Sequence, residues 1–332
     1  MKKITSIIFA LVVLFAVICI LPGCAKKSSV KVLRLAEIHK DDYSTTLGAK
    51  AMADYVAEKS NGTIKIEVYN NGVLGGEKET VEQTQTGDIH FVRVGVNLLS
   101  PLNPLMNALA MPYLFRDREH MFKVLDGPIG QELAESLQQQ GLLGLCWMDP
   151  GFRNFYNSQR EIKTPADLVG LKIRVQETPL MINLVNMLGG QATPMALPEV
   201  YTGIQNGVIH GAENNWPSYI TTSHYEVAKF FTDSAHMASP EMILINFATW
   251  NSFTDEEKAI IKEGAMEGAR VQRALWLEHE ARDEARAKAE GSIITELTPE
   301  QRQLFVDALA PFYQQPAYAD YAGLIQRVRD TK

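Results

Sequence analysis

Cysteine is almost missing from this chain, with three in 332 residues. Cys19 sits inside an apolar N-terminal stretch, Cys24 just after it, and Cys146 in GLLGLCWM. Thiols so placed leave no pair in the body of the chain, so a disulfide framework is excluded and packing must hold the fold. Cys146 has apolar neighbours and nothing beside it to activate it, and reads as a buried structural thiol rather than a nucleophile. Positive charge is short too: 32 Lys and Arg face 39 Asp and Glu, for a net charge of -7. Such a balance provides no concentrated basic surface for phosphates, which excludes a nucleic-acid partner; basic side chains that matter here act singly. Seven histidines are scattered without ligand spacing, so no metal site is implied. A Walker A loop, a dinucleotide fingerprint, a GxSxG elbow and an HExxH helix are all missing; His279-Glu280 begins like the last but has no second His at the required spacing. Neither an enzyme nor a cofactor is called for.

Long apolar runs are lacking as well, with one exception. Lys2 and Lys3 precede an unbroken apolar stretch over 7–21, short of the ~20 residues that a membrane span needs. Residues 1–23 therefore read as a targeting segment that is removed. Leu21-Pro22-Gly23-Cys24 resembles a lipobox, although Pro22 is unusual at its place. On that reading Cys24 is lipidated, 24–31 is a tether, and the protein is extracytoplasmic, in the periplasm or at the cell surface, anchored by lipid.

What is present is α/β patterning. VLRLAEI, IKIEVY and IHFVRVGV alternate as strands, with helices predicted over 43–59 and 77–86 between them. Strand, helix, strand, helix, strand predicts a lobe built on a parallel sheet. After a helix-rich stretch over 116–140 and the strand LLGLCWM, alternation restarts near Gly151 with FRNFYNS, KIRVQ, ATPM and GVIHGAE, and helices over 180–188 and 197–206. A second sheet is implied, and 149–152 is the candidate hinge. The last third reads as helical. Thr254-Asp255-Glu256-Glu257 has capping-box spacing, and Thr298-Pro299-Glu300-Gln301 repeats it with proline at the first helical position. From the first of these, one helix of about 36 residues, roughly 54 Å, can run uninterrupted, or two helices can break near Gly264 or Gly268.

Ligands of open α/β sheets bind at the carboxyl ends of strands, which brings several polar groups together: His39, the VGVN turn, Arg153, Arg174, and the pair Asn214 and Asn215. In KIRVQ, Lys172, Arg174 and Gln176 share one strand face while Ile173 and Val175 take the other, so a charged side can face a cleft without breaking the core. A planar guanidinium binds a carboxylate through two parallel hydrogen bonds. Arg153 and Arg174 suit that task, or else each forms an internal ion pair. Asn214 and Asn215 either meet ligand hydroxyls or cap a turn. Glu77 either accepts from hydroxyls or favours a helix dipole. Trp216 either walls a pocket or packs a lobe.

Two runs, NNGVLGGEKETVEQTQTGDI and GLKIRVQETPLMINLVNMLGGQATPMALPEVYTGIQNGVIHGAENN, resemble the DctP-type solute-binding proteins of tripartite ATP-independent periplasmic (TRAP) transporters. The similarity extends from about Val32 to the long helix. It implies a two-lobed periplasmic-binding-protein fold with a cleft between α/β lobes and one long helix crossing both. The implied plan is 32–150 plus about 240–275 for the first lobe and 151–239 plus about 276–332 for the second. By the same resemblance, Arg174 in K-[IL]-R-V pairs with the substrate carboxylate, Arg153 matches the arginine of G-x-R-x-F, and Asn214 the asparagine of G-x-E-N. AEIHKDDY, LGGEKE and AENNWPSY are similar to members that bind hexuronates, which implies His39, Glu77 and Asn215 as further contacts. His210 stands where many relatives have Asp. The expected function is capture of an organic acid, foremost glucuronate or galacturonate, and delivery to the small and large TRAP permease subunits. The alternatives are another carboxylate (a C4-dicarboxylate, a keto or aldonic acid, lactate, sialic acid) or a sensor presenting its ligand to a receptor kinase.

Overall fold

The computed structural model describes residues 30–332, so the targeting segment and Cys24 lie outside the described residues. In chain order the strands are β1 (Lys31–Ala36), β2 (Ile64–Tyr69), β3 (Phe91–Gly95), β4 (Leu142–Met148), β5 (Phe152–Asn157) and β6 (Lys172–Val175). There follow β7 (Gln191–Pro194), β8 (Gly211–Asn214), β9 (Phe230–Ala238), β10 (Glu241–Asn246) and β11 (Ile293–Glu296). They form two sheets, ordered β2-β1-β3-β10-β4 and β11-β9-β5-β8-β6-β7. Each sheet, covered by helices, is one lobe.

The first sheet is not purely parallel as expected. β1 runs parallel to β2 and β3, but β10 is antiparallel to both β3 and β4. The reason is connectivity: the chain enters the second lobe after β4, returns after β9, and inserts β10 between β3 and β4. All six residues of β10, EMILIN, are buried. A strand covered on both faces has no polar alternation to betray it. Up to β10 the chain passes between the lobes twice, once at Asp149–Gly151, the stretch read as a hinge, and once at Ser239-Pro240.

A single helix, Asp255–Ala289, runs 35 residues, about 52 Å at 1.5 Å per residue. Its N-terminus carries the expected capping box, with Glu257 N–H donating to Thr254 Oγ1 at 3.2 Å and Thr254 N–H to Glu257 Oε2 at 2.9 Å. The glycines that suggested a break serve close approach instead. A Cβ on Gly268 would meet Gly48 O at 2.6 Å, and one on Gly264 would meet Val56 Cγ2 at 2.7 Å. The helix Ser44–Lys59 thus lies backbone to backbone against the long helix, which goes on to pack against β4 and the second-lobe helix Trp216–Thr221. The strut joins both lobes.

The end of the chain, expected with the second lobe from about 276 to 332, divides its packing. Helix Pro299–Leu309 packs near β9, but the last helix, Ala322–Asp330, docks on the first lobe. His120 Nε2 lies 2.9 Å from Val328 O, and Arg327 Nη2 is 2.7 Å from Glu132 Oε2. Val328 and Ile325 are buried in the same core cluster as the first-lobe residues Val124 and Ile129.

Candidate functional site

Arg174 stands in the middle of β6, between buried Ile173 and Val175, and is itself only 3% exposed. Its Nε donates to Met195 O at 2.7 Å. Among the described residues no carboxylate lies within 4.0 Å of its guanidinium. Burial pushes its pKa down from the ordinary arginine value, a shift that Glu213 opposes. An arginine in this state is a desolvated cation with its fork uncommitted.

Arg153, at the start of β5, is differently placed. It pairs with Glu213 of β8: Nη2 donates to Oε1 and to the Glu213 backbone oxygen, both at 2.8 Å, and Nε donates to Oε2. The internal ion pair, one of its two sequence readings, is realised. Burial pushes Glu213 up, but Arg153 and His236 outweigh it and hold the carboxyl below its usual range. His236 Nε2 lies 3.6 Å from Glu213 Oε2, and burial lowers the pKa of this ring.

From the first lobe comes a cluster centred on Arg93 of β3, 1% exposed. Glu37, just beyond β1, accepts from Arg93 Nε and Nη2, each at 2.8 Å. Glu77, at the start of helix Glu77–Thr86, accepts from Nη1 at 2.7 Å, and Glu241 Oε1 is 3.4 Å from the same nitrogen. His39 Nδ1 lies 2.8 Å from Glu37 Oε1 and 2.9 Å from Arg93 Nη2, and its ring stacks on Tyr43 at 3.8 Å. Burial, then Arg93, lowers the His39 pKa. Burial pushes Glu37 up, but Arg93 and His39 overcome this and leave it well below the usual carboxylate range.

Side chains also meet across the cleft. Asn97 Nδ2 donates to Gln176 Oε1 at 2.7 Å, and Gln176 Nε2 is 3.5 Å from Glu77 Oε2. Tyr43 OH is 3.2 Å from Asn215 Oδ1 and 3.0 Å from Ser218 Oγ. The lobes are thus closed. A cavity of about 250 Å³ between them is lined by Ile38, His39, Lys40, Leu197, Tyr201 and His224. Ile38 and Leu197 also border a narrower gap beside Glu77, Arg174 and Gln176. A larger void of about 400 Å³ lies on the outer flank of the first lobe, beside β4 and Trp250, away from these strand ends.

The structure brings His39, Glu77, Arg153, Arg174, Gln176 and Asn214 around the cleft, but turns two expected contacts elsewhere. Asn215 caps its helix: Oδ1 accepts from Ser218 N–H at 2.8 Å and Nδ2 donates to Pro150 O at 2.9 Å. Trp216 stacks on Phe231 at 3.6 Å inside the second-lobe core, the packing role that was one of its two sequence readings. Both follow from helix Trp216–Thr221 starting there, since an Asn at the N-cap spends its oxygen on the first turn. Asn214 Oδ1 accepts from Asn215 N–H at 2.9 Å. His210 fastens β6 to its neighbour, its Nδ1 accepting from Lys172 N–H at 3.0 Å. Sequence reasoning passed over Arg93, Glu37 and Glu241. The signal for Arg93 was the one that marked Arg174, a charge between two apolar residues of a strand.

Residues 35–320 match the family model for bacterial extracellular solute-binding protein, family 7 (DctP). A solute-binding protein of Chromohalobacter salexigens is 33% identical over 297 residues, 89% of this chain and 88% of that one. Among solved structures, a TRAP periplasmic solute-binding protein of Roseobacter denitrificans with bound β-D-glucuronate superposes with a TM-score of 0.87 at 37% identity, covering 91% of this chain and 100% of that one. One of a Bradyrhizobium species, in complex with α/β-D-galacturonate, gives the same TM-score, identity and coverage. Two lobes joined by a helical strut, closed over a polar cleft, are thus found together with a family match over most of the length: the chain belongs to family 7 of the bacterial extracellular solute-binding proteins, the DctP type that serves TRAP transporters outside the cytoplasm.

Proposed function

We propose that this protein captures a hexuronate, glucuronate or galacturonate, in the closed cleft and delivers it to the small and large TRAP permease subunits. The observation that carries the reading is Arg174, buried on the cleft face of β6 without a carboxylate of its own. The ligand carboxylate is the missing partner, and its arrival offsets the cost of desolvating the cation. Arg153, already neutralised by Glu213, supplies directional donors rather than net charge. Asn214 and Gln176 from the second lobe, with His39 and Glu77 from the first, read the hydroxyls. Asn215 and Trp216 act indirectly, by holding helix Trp216–Thr221 in place. Since these groups come from both lobes, ligand binding favours closure. No bond is made or broken. The relatives whose structures hold glucuronate and galacturonate support the choice of acid.

Two further parts belong to this reading. The lobes divide at the crossings, with 30–149, 240–275 and the final segment in the first and the remainder in the second. The anchor is a lipid on Cys24, supported by Leu21-Pro22-Gly23-Cys24, and mass spectrometry of the mature N-terminus checks it. The ligand is tested by thermal shift and calorimetry against a panel of organic acids, because a ligand of the native state stabilises it by about 2.7 kcal/mol at a hundred times its Kd. A C4-dicarboxylate or lactate that binds while both uronates leave the protein unchanged would sink the hexuronate reading.

A further inference from the structure

Glu241 is the first residue of β10, directly after the Ser239-Pro240 crossing, and pairs in register with Gly95 and Met148. It is 9% exposed; Oε1 is 3.4 Å from Arg93 Nη1, and Oε2 is buried with no hydrogen-bond partner. Arg93 is no adequate counterion, since Glu37 and Glu77 already occupy its fork at 2.7–2.8 Å. The groups that face Glu241 are Arg93 from β3, Glu37 beyond β1, Glu77 from helix Glu77–Thr86, Arg153 from β5 and Tyr43 from the start of helix Ser44–Lys59. Within the Arg93 and Arg153 clusters together with Arg174, and leaving aside Lys40, Lys78 and Glu177 at the cavity walls, three guanidinium groups (Arg93, Arg153, Arg174) stand against four carboxyls (Glu37, Glu77, Glu213, Glu241). Fully ionised, that set is already one charge negative, and a monocarboxylate ligand would make it two.

From this arrangement we infer that Glu241 is a specificity-determining residue that holds a proton in the ligand-bound cleft: the site takes up its anion together with one proton, which the orphaned Oε2 carries as a donor. The inference rests on the reading of the ligand as an organic acid. Burial supports it by raising the Glu241 pKa to about 8, which Arg93 opposes and Glu77 and Glu37 reinforce. When the lobes open and water reaches the carboxyl, that value falls back towards the ordinary range of about 4.3. Between the two values closure binds a proton. Affinity for the acid is then highest at low pH and falls by up to about tenfold per pH unit as pH rises from the open-state value through the closed-state one.

Calorimetry of glucuronate binding between pH 5.5 and 9, in buffers of different ionisation enthalpy, tests this on the full mature chain. The expected result is uptake of close to one proton per ligand near neutral pH, and its loss in Glu241→Gln, whose amide mimics the protonated acid and whose affinity is flat with pH. Equal proton uptake in parent and variant overturns the inference while leaving the uronate reading intact. If the variant fails to fold, infrared difference spectra of the parent decide, since binding must add the band of a protonated carboxyl group. Should another acid from the panel bind in place of a uronate, the same measurements on that acid decide; if no acid binds at any pH, both readings fall.

Discussion

Arg93 and Arg174 occupy the same kind of place in opposite lobes. Each lies inside a strand between apolar residues, V-R-V in β3 and I-R-V in β6, and each is at most 3% exposed. Their surroundings differ in kind. Arg93 meets Glu37, Glu77 and Glu241, whereas Arg174 meets one backbone oxygen. Burial lowers the pKa of Arg174, while around Arg93 the three glutamates outweigh burial and raise it. A buried guanidinium wrapped in its own carboxylates is satisfied by the scaffold; one left with its fork open is what the proposed ligand carboxylate would complete. Position in the strand does not separate them, but the partners do.

The largest effect is expected from Arg93→Met, which strands buried Glu37 and Glu241 and part-buried Glu77 without their cation. Breaking such a cluster costs about 3–5 kcal/mol, read as a lower denaturant midpoint of the unliganded protein at neutral pH. The loss should shrink as pH falls, because neutral carboxyls are cheaper to bury. In the parent the sign is reversed: Glu37 is held low, so its contribution is present at neutral pH and disappears as pH falls below its ordinary range. Arg174→Ala is the counterpart. It should weaken binding of the acid by about 2–5 kcal/mol, roughly thirty- to several-thousand-fold, with unliganded stability unchanged or raised. If Arg174→Ala lowered the unliganded midpoint as far as Arg93→Met does, the distinction between scaffold and site would collapse.

Arg153 lies between these extremes, and Glu213→Gln moves it towards the state of Arg174. The parent holds this arginine by two guanidinium contacts to one carboxylate. Losing that charge should cost the unliganded protein about 1–3 kcal/mol, part of which the ligand carboxylate restores on binding. Denaturation with and without saturating ligand measures both quantities. A loss of equal size in the two conditions would mean that Arg153 never addresses the ligand.

The same contrast explains what could be read from sequence. Local signals survived: both capping boxes formed, with Gln301 N–H donating to Thr298 Oγ1 at 3.2 Å in the second. Alternation placed β6 and the inward face of Arg174, because Lys172 on that face is exposed and the pattern has a wet side to show. β3 has none, since all five residues are buried, and the glutamates that mark Arg93 come from three distant elements. β9 and β10 were missed for the same reason, being interior strands whose neighbours in the sheets are remote in the chain. For Asn215 and Trp216 the sequence left two readings open, because a helix start and a ligand contact call for the same residue types, and the cap and the core stacking are what the structure shows.

Tyr43→Phe should give the smallest effect, and it tests whether the cleft contacts belong to closure rather than to either lobe alone. Tyr43 OH reaches Asn215 Oδ1 and Ser218 Oγ across the cleft, while the ring stacks on His39 and meets Trp276 of the strut edge-on at 5.9 Å. Phenylalanine keeps the ring contacts and removes only the hydroxyl. A hydrogen bond of this sort is worth about 0.5–1.5 kcal/mol, so affinity should fall by about twofold to tenfold. On the proposed opening of the unliganded lobes the contact belongs to the closed state alone, so the change should fall on the dissociation rate, measured by stopped-flow, and leave unliganded stability as it was. Equal losses in affinity and in unliganded stability would show that the lobes stay closed without ligand, and the open fork of Arg174 would then be a standing cost of the fold rather than a state awaiting an acid.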